Sequence, residues 1–427
     1  MKKQWPPQDQ VFWYLYDKPT STCRENITTD VAIIGGGMAG LSAAHAFQKR
    51  GKKVILLEQY YCGAGASGKS SGFITPNAEL SFTDFAKKYS KDSAHHIWDF
   101  ITSGSEDIRT NILQHKFACD YVEQNTLIAA NHHHNLKTLQ IECDNLAAYG
   151  YKTAMYSKDA LQKYINSANY VGGMEYAGSF GINSYLYCQA MKQLLQQLGV
   201  DIYEQTPVTR IDNHTIHTMH ARIQAKHIIV CTDRFTPQLG LLENKVYHVQ
   251  TFLMVSQVLT NTEIAQLFPE NNYLVWDTDL IYTYFRITAD KRLLLGGGNL
   301  WTTFATQEKH NYHPIIQQLT RYFNKKFPDV HIQFEHIWPG LIGISKDIVP
   351  IAGPDQKNPH IYYITASAGL PIAAALGRYS AEHIIDGRTD LDQFFSPYRK
   401  FLIHGPVQSL LGTRLSFALS TFISSRL

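Results

Sequence analysis

Charge is scarce in this chain, and so are paired cysteines and long apolar runs. Charged residues occupy 18% of the 427 positions and hydrophobic ones 44%, a balance that belongs to a globular protein, not a disordered one. The formal net charge of +3 is too small to call for a nucleic-acid partner. Cys23, Cys62, Cys119, Cys143, Cys188 and Cys231 stand far apart with no CxxC among them, which removes the usual spacing for zinc or dithiol chemistry. Reduced thiols in a cytoplasmic protein are the simplest account. Lys2 and Lys3 open the chain without an apolar core behind them, so no secretory leader is expected. No window approaches the ~20 apolar residues that span a bilayer. What remains is a chain long enough for two domains with substantial cores.

One stretch organises the rest, Asp30 to Glu58. Val31-Ala32-Ile33-Ile34 is a continuous apolar run suited to a parallel strand covered on both faces. Gly35, Gly37 and Gly40 follow in the GxGxxG spacing, with Met38 and Ala39 between the last two. Leu41 to Arg50 is alanine-rich and lacks Gly and Pro, so it reads as a helix that stops at Gly51. Val54-Ile55-Leu56-Leu57 is a second buried strand, and Glu58 and Gln59 end it. Gly35 permits a tight turn, Gly37 lets the backbone approach a pyrophosphate, and Gly40 lets helix and strand close up. The helix N-terminus offers N–H groups and a positive dipole end to the phosphates. Glu58 can accept from both ribose hydroxyls and would repel a 2′-phosphate, which argues against NADP. The unit says dinucleotide. By itself it does not choose between FAD and NAD.

Residues 63–72, GAGASGKSSG, are too rich in small side chains for helix or strand. A backbone so bare can wrap a ligand; a flexible linker is the plainer alternative, but the position directly after a nucleotide-binding unit favours cofactor contact. Helices are expected over 84–115, 135–149, 158–165 and 185–198, and strands at 200–203, 208–211 and 228–230, an alternation that extends a doubly wound sheet. From Tyr247 the texture changes. Residues 247–259, 273–276, 281–288 and 292–297 are strand-like and joined by short polar turns, the signature of an antiparallel sheet and a second domain. A helix is expected over 313–327. A further strand at 361–364 precedes Gly369-Leu370-Pro371, which leads into a helix from Ile372 with its proline in the first turn. The aromatic arm over 1–29, with Trp5, Phe12, Trp13, Tyr14 and Tyr16, is expected to dock on a surface. His132-His133-His134 reads as a solvent-facing polar turn and no metal is expected. The tail 407–427 has one apolar helical face, and core packing is favoured over peripheral membrane contact because its polar face holds few basic residues.

Together these blocks resemble the FAD-dependent amine and amino-acid oxidoreductases of the D-amino-acid oxidase type, with glycine oxidase, sarcosine oxidase and γ-glutamylputrescine oxidoreductase branches. The GGGMAG unit with Glu58 carries the resemblance, as do the GAGASGKSSG loop and Val208-Thr209-Arg210-Ile211 followed by Ile228-Ile229-Val230. So does the run WPGLIGISKDIVPIAG with YYITASAGLPIAAALG, and YFRITADKRLLLGGG is close to the γ-glutamylputrescine branch. This block order selects FAD over NAD. The resemblance implies an α/β fold, with a Rossmann-like FAD-binding domain over 1–85, 166–240 and 330–427. A discontinuous, antiparallel-sheet (α+β) substrate domain would take 86–165 and 241–329.

Position by position, it implies Gly35, Gly37, Met38, Ala39 and Gly40 near the pyrophosphate and Glu58 with Gln59 at the adenosine ribose. Ser67, Gly68, Lys69, Ser70, Ser71 and Gly72 would approach the pyrophosphate and flavin, and Val208 the adenine, with Thr232 and Gly340 also in contact. Gly369, Leu370, Pro371 and Ile372 would aim a helix N-terminus at the flavin pyrimidine carbonyl.

The chain departs from the family pattern in places. Thr232-Asp233 replaces a small-residue ending, and Gly369-Leu370-Pro371 stands where a Gly-His-Gly-type turn is usual. Lys69 occupies the place of a flavin-linked histidine, and no cysteine follows Cys231, so FAD is expected to be non-covalent. The implied reaction is oxidation of a C–N bond of a small amine or amino acid, with hydride passing to flavin N5 and the imine hydrolysing. Oxygen or another acceptor would reoxidise the flavin. A flavin dehydrogenase feeding a quinone or carrier protein, and a non-catalytic FAD-binding protein, are the rival readings. Arg286 shares a strand face with Tyr282 and Tyr284, and its fork suits a substrate carboxylate, against the plainer reading of a surface ion pair. His248, Gln250, Trp276 and Trp338 are weaker pocket candidates.

Overall fold

The computed structural model describes residues 11–14, 20–279, 281–298 and 312–400. The helix expected over 407–427, and Trp5 and Tyr16 of the arm, lie outside them.

The opening stretch folds as its pattern dictates. Strand β1 (Ile27–Ile34) is followed by helix α1 (Met38–Gln48) and strand β2 (Val54–Leu57). Every residue of β2, and Val31 to Ile34 of β1, is buried, because both strands are interior to a sheet covered on both faces. β1 pairs in parallel with β2 on one edge and with the strand Arg222–Val230 on the other. The strands Asp201–Tyr203, Val208–Asp212 and Thr215–Thr218 extend this sheet, and Ile361–Thr365 pairs with Ile228 to Val230.

Against one face lies a helical layer made by α1, Lys91–His115 and Leu370–Asp386. Leu41, Phe47, Trp98, Ile101, Leu376 and Tyr379 share its buried cluster. The helix expected over 84–115 is two, Phe82–Lys88 and Lys91–His115. Ser90 caps the second, its hydroxyl accepting from Ser93 N at 3.1 Å.

The second sheet also has eight strands. Tyr247–Val258, Leu274–Asp277, Tyr284–Ile287 and Arg292–Gly297 are where the texture change placed them, and all are antiparallel to their neighbours except the pairing of Leu274–Asp277 with Thr126–Ala130. Gly172–Tyr176 and Phe334–Ile344 pair into this sheet too, whereas boundaries at 166 and 330 assign them to the nucleotide domain. Their sequences, GGMEY and FEHIWPGLIGI, do not reveal which sheet they join, since that choice is made by long-range pairing. The helix His313–Lys326 covers one face, burying Ile315, Leu319 and Phe323 against Phe252, Phe285 and Leu295. The opposite face looks back toward the first sheet. Among the described residues no helix is long and apolar enough to cross a membrane.

Candidate active site

A cavity of about 1540 Å³ is lined by residues of both sheets. On the nucleotide side its wall holds Gly35, Gly37, Met38, Ala39, Glu58 and Gln59, with Val208 and Thr232 further along. Gly35 has φ of +110°, and a Cβ there would come within 2.4 Å of Cys231 O. A Cβ on Gly40 would sit 1.9 Å from Gly35 O, so this glycine lies off the cavity and lets α1 start directly against the turn. Glu58 accepts from Gly36 N at 2.7 Å and from Tyr60 N at 2.9 Å, one bond to each carboxylate oxygen. Burial raises its carboxyl above the usual range and these N–H groups pull it back down. Each oxygen keeps lone pairs for ribose hydroxyls.

Ser67, Lys69, Ser70 and Ser71 line the cavity beside this wall. Ser67 Oγ accepts from Met38 N at 2.9 Å, which ties the loop to the N-terminus of α1. Gly68 and Gly72 lie outside the lining. A Cβ at either would strike a backbone carbonyl, Gly63 O at 2.0 Å or Ile182 O at 1.8 Å, so both are close-packing positions.

Three successive carbonyls of this loop are held from behind. Trp338 Nε1 donates to Lys69 O at 3.0 Å, Trp13 Nε1 to Ser70 O at 3.1 Å, and Arg286 Nε to Ser71 O at 2.8 Å. Trp13 and Trp338 meet edge to face with centroids 6.0 Å apart, and Tyr14 Oη adds a bond to Ala64 O at 2.8 Å. The described part of the aromatic arm therefore docks on the loop. With the carbonyls turned outward and anchored, the loop presents its opposite side to the cavity.

Arg286 is thus not a cavity residue. It is 1% exposed, and Nη2 donates to Ile182 O at 2.6 Å. Nη1 is buried without a hydrogen-bond partner among the described residues, and burial pulls the guanidinium down to about 10. Alternation does put it on the same strand face as Tyr284, which lines the cavity. The loop and the backbone at Ile182 cover the position two residues further on. His248 fails by parity. Val249, Thr251 and Leu253 line the cavity, whereas His248 is outside the lining with Nε2 3.2 Å from Arg234 O. Gln250 has the same parity and is fully buried. Trp338 holds the loop from behind, and Trp276 does line the cavity.

At the C-terminal side, Gly369, Leu370 and Pro371 line the cavity, with Gly369 at φ +115° as the N-cap of Leu370–Asp386. Ile372 turns into the core, 1% exposed. Gly340 lines the cavity opposite Thr251. The departure at Thr232-Asp233 has a structural purpose. Asp233 carboxylate oxygens accept from Gly343 N at 2.7 Å and Ala366 N at 3.1 Å, stitching both sheets together at the cavity edge. Sequence reasoning flagged that dipeptide without seeing this. It missed Phe73, which lines the cavity from a two-residue strand after the loop, and Glu79, which lines it from the irregular stretch that follows; neither carries a motif.

The glycine turn, the ribose-ready carboxylate, the small-residue loop and the helix N-terminus at Gly369 all face one cavity, so the residues present fit an extended dinucleotide such as FAD.

Known proteins align with this architecture. The chain is 27% identical over 369 residues to a probable oxidoreductase, OrdL, of Haemophilus influenzae, covering 83% of each chain. It is 27% identical over 388 residues to gamma-glutamylputrescine oxidoreductase of Escherichia coli, covering 88% of this chain and 87% of that protein. The fold matches the crystal structure of glycine oxidase from Geobacillus kaustophilus with a TM-score of 0.74 at 18% identity, over 88% of this chain and all of the other. The sequence model of DAO, FAD dependent oxidoreductase, matches residues 30–383. That match runs from β1 into the helix that starts after Gly369 and takes in both walls of the cavity, and the chain belongs to the DAO family of FAD-dependent oxidoreductases.

Proposed function

We propose that this enzyme oxidises a C–N bond of a small amine or amino acid, leaving an imine that water hydrolyses. The observation that carries this reading is the shape of the cavity. One side is a dinucleotide wall and the other an aromatic wall of Trp276, Tyr282 and Tyr284, so cofactor and substrate positions share one cavity. Relatives named for an amine derivative and for an amino acid, gamma-glutamylputrescine oxidoreductase and glycine oxidase, support it. When bound, FAD supplies the hydride acceptor, flavin N5.

The chain's own residues bind, orient and exclude water. Gly37 and the N-terminus of α1 suit the pyrophosphate, and Glu58 suits the ribose. The anchored loop 67–71 and the Gly369 helix end suit the flavin ring, the latter placing a positive dipole end where negative charge develops. Lys69 on that loop and the lack of any cysteine after Cys231 support non-covalent binding. Hydride loss from carbon requires a neutral amine nitrogen. Apolar walls from Leu253 and Ile342 favour the uncharged form. Six free thiols support a cytoplasmic site of action.

The test is a panel of amines and amino acids added anaerobically to the FAD-loaded protein and scored by bleaching of the flavin absorbance. At least one should bleach it within the turnover time. Bleaching by dithionite but by no panel member would sink the proposal. Repeating the active reaction with oxygen and with a quinone or dye identifies the acceptor.

A further inference from the structure

Between the strand Phe73–Ile74 and the helix Phe82–Lys88, the chain carries Glu79 into the cavity. Tyr282 Oη donates to this carboxylate, lying 3.1 Å from Oε1 and 3.3 Å from Oε2. The Tyr282 and Tyr284 rings are 5.8 Å apart, and Phe73 meets Tyr284 edge-on at 5.8 Å. Phe73 also stacks on Trp276 at 6.2 Å. All five side chains line the cavity. The result is a carboxylate at the end of a continuous run of four aromatic rings.

Among the described residues no lysine or arginine pairs with Glu79, and its hydrogen-bond partner is the tyrosine hydroxyl. The cavity's described cations, Lys69 and Arg234, belong to the small-residue loop and to the segment after the strand Arg222–Val230. Glu79 and Tyr282 are both solvent-exposed where they line the cavity, and the protein packed around the Glu79 carboxyl raises it above the ordinary range. Its charge pushes the Tyr282 hydroxyl well up, with burial adding to the effect. A carboxylate flanked by π faces attracts an alkylammonium group and repels a carboxylate.

We propose that Glu79, Tyr282, Tyr284, Phe73 and Trp276 form a subsite for a second, non-reacting ammonium group of the substrate. The substrate is then a diamine or a longer amine with a distal cation, not a simple monoamino monocarboxylic acid. The ammonium held there is the non-reacting one, because a carboxylate partner keeps an amine protonated and its lone pair unavailable for C–N oxidation. This rests on the amine-oxidation reading, which needs one nitrogen to react while the other is held.

The experiment titrates the FAD-loaded protein with tetramethylammonium, a cation that cannot be oxidised at the site, following flavin absorbance and tryptophan fluorescence. Linear diamines and monoamines of equal length are compared by anaerobic flavin bleaching. Wild type should bind tetramethylammonium, and the diamine should bleach the flavin with a second-order rate constant at least tenfold that of the monoamine. Glu79→Gln should weaken tetramethylammonium binding at least tenfold with FAD content and Tm retained, and Trp276→Leu should weaken it without touching the carboxylate. Tetramethylammonium binding that Glu79→Gln leaves unchanged overturns the subsite, as does a preference for monocarboxylic amino acids over diamines. The two proposals fail separately. If no amine bleaches the flavin but tetramethylammonium still binds through Glu79, the oxidation reading falls and the cation site stands. If amines bleach the flavin and tetramethylammonium does not bind, the reverse holds.

Discussion

Replacing Arg286 with lysine separates two roles that the residue type alone leaves open. A substrate-binding arginine would face the cavity; this one donates to Ser71 O at 2.8 Å and Ile182 O at 2.6 Å from a buried position. Lysine keeps the charge but loses the fork, so it satisfies at most one of two carbonyls so far apart in direction. One charge-assisted hydrogen bond disappears and one buried carbonyl is left without a partner, a loss of about 1–3 kcal/mol. Ser71 belongs to the loop that lines the cavity, so the variant must restore loop geometry when cofactor binds. If that energy is transmitted in full, the FAD dissociation constant rises about 5- to 150-fold. Titration of apoprotein with FAD, followed by flavin fluorescence, measures the shift, and thermal unfolding of the apoprotein should show a lowered Tm. Wild-type FAD affinity and Tm, with KM raised only for carboxylate-bearing substrates, would refute this reasoning and return Arg286 to the substrate pocket.

Three further outcomes are expected. Trp338→Phe keeps a ring against Trp13 but removes the donor to Lys69 O, and FAD should leave several-fold faster for a loss of about 1 kcal/mol; an unchanged release rate in stopped-flow would exclude the clamp. Gly40→Ala puts a Cβ 1.9 Å from Gly35 O, an overpacking that costs about 1–3 kcal/mol or more and displaces the start of α1. Normal FAD content and Tm in that variant would contradict the close packing described. His45, on α1, is pulled down to about 4 by burial, then by Lys49 and His115. Between its ordinary value near 6.5 and that lowered one, the unfolded chain binds the extra proton, so stability is full above pH 6.5 and falls as pH drops through this window. Its slope contribution is at most ~1.4 kcal/mol per pH unit, and urea denaturation of wild type against His45→Gln should show the variant losing that component.

The nucleotide half was legible because its determinants are local. Strand, glycines, helix, strand and acid follow one another within Asp30 to Glu58, and Gly40 answers a clash inside the turn itself, with Gly35 O, whereas the neighbours of Gly35 and Gly37 are Cys231 O and Ser67 Oγ from later in the chain. The second sheet was legible as a change of period, and Tyr284 and Trp276 fell on its cavity face. What could not be read was cover. Strand alternation groups Arg286 with Tyr284 but says nothing of the loop that lies over one and not the other. Choosing His248 was a choice of parity, and parity is set by which face the helix His313–Lys326 occupies.

Composition, spacing and period determine by themselves that this chain carries a dinucleotide-turn signature, a small-residue loop beside it and a run of strands for a second sheet, since each shows in the order of near neighbours along the chain. Tertiary structure alone decides the rest. The donors that hold Lys69, Ser70 and Ser71 lie 269, 57 and 215 positions away along the chain, so no window of sequence contains them. The same holds for Glu79 and Tyr282, which are 203 positions apart. Glu79 lines the cavity with aromatic rings around it and no cation among the described residues beside it, and such a charge environment is a property of the folded surface.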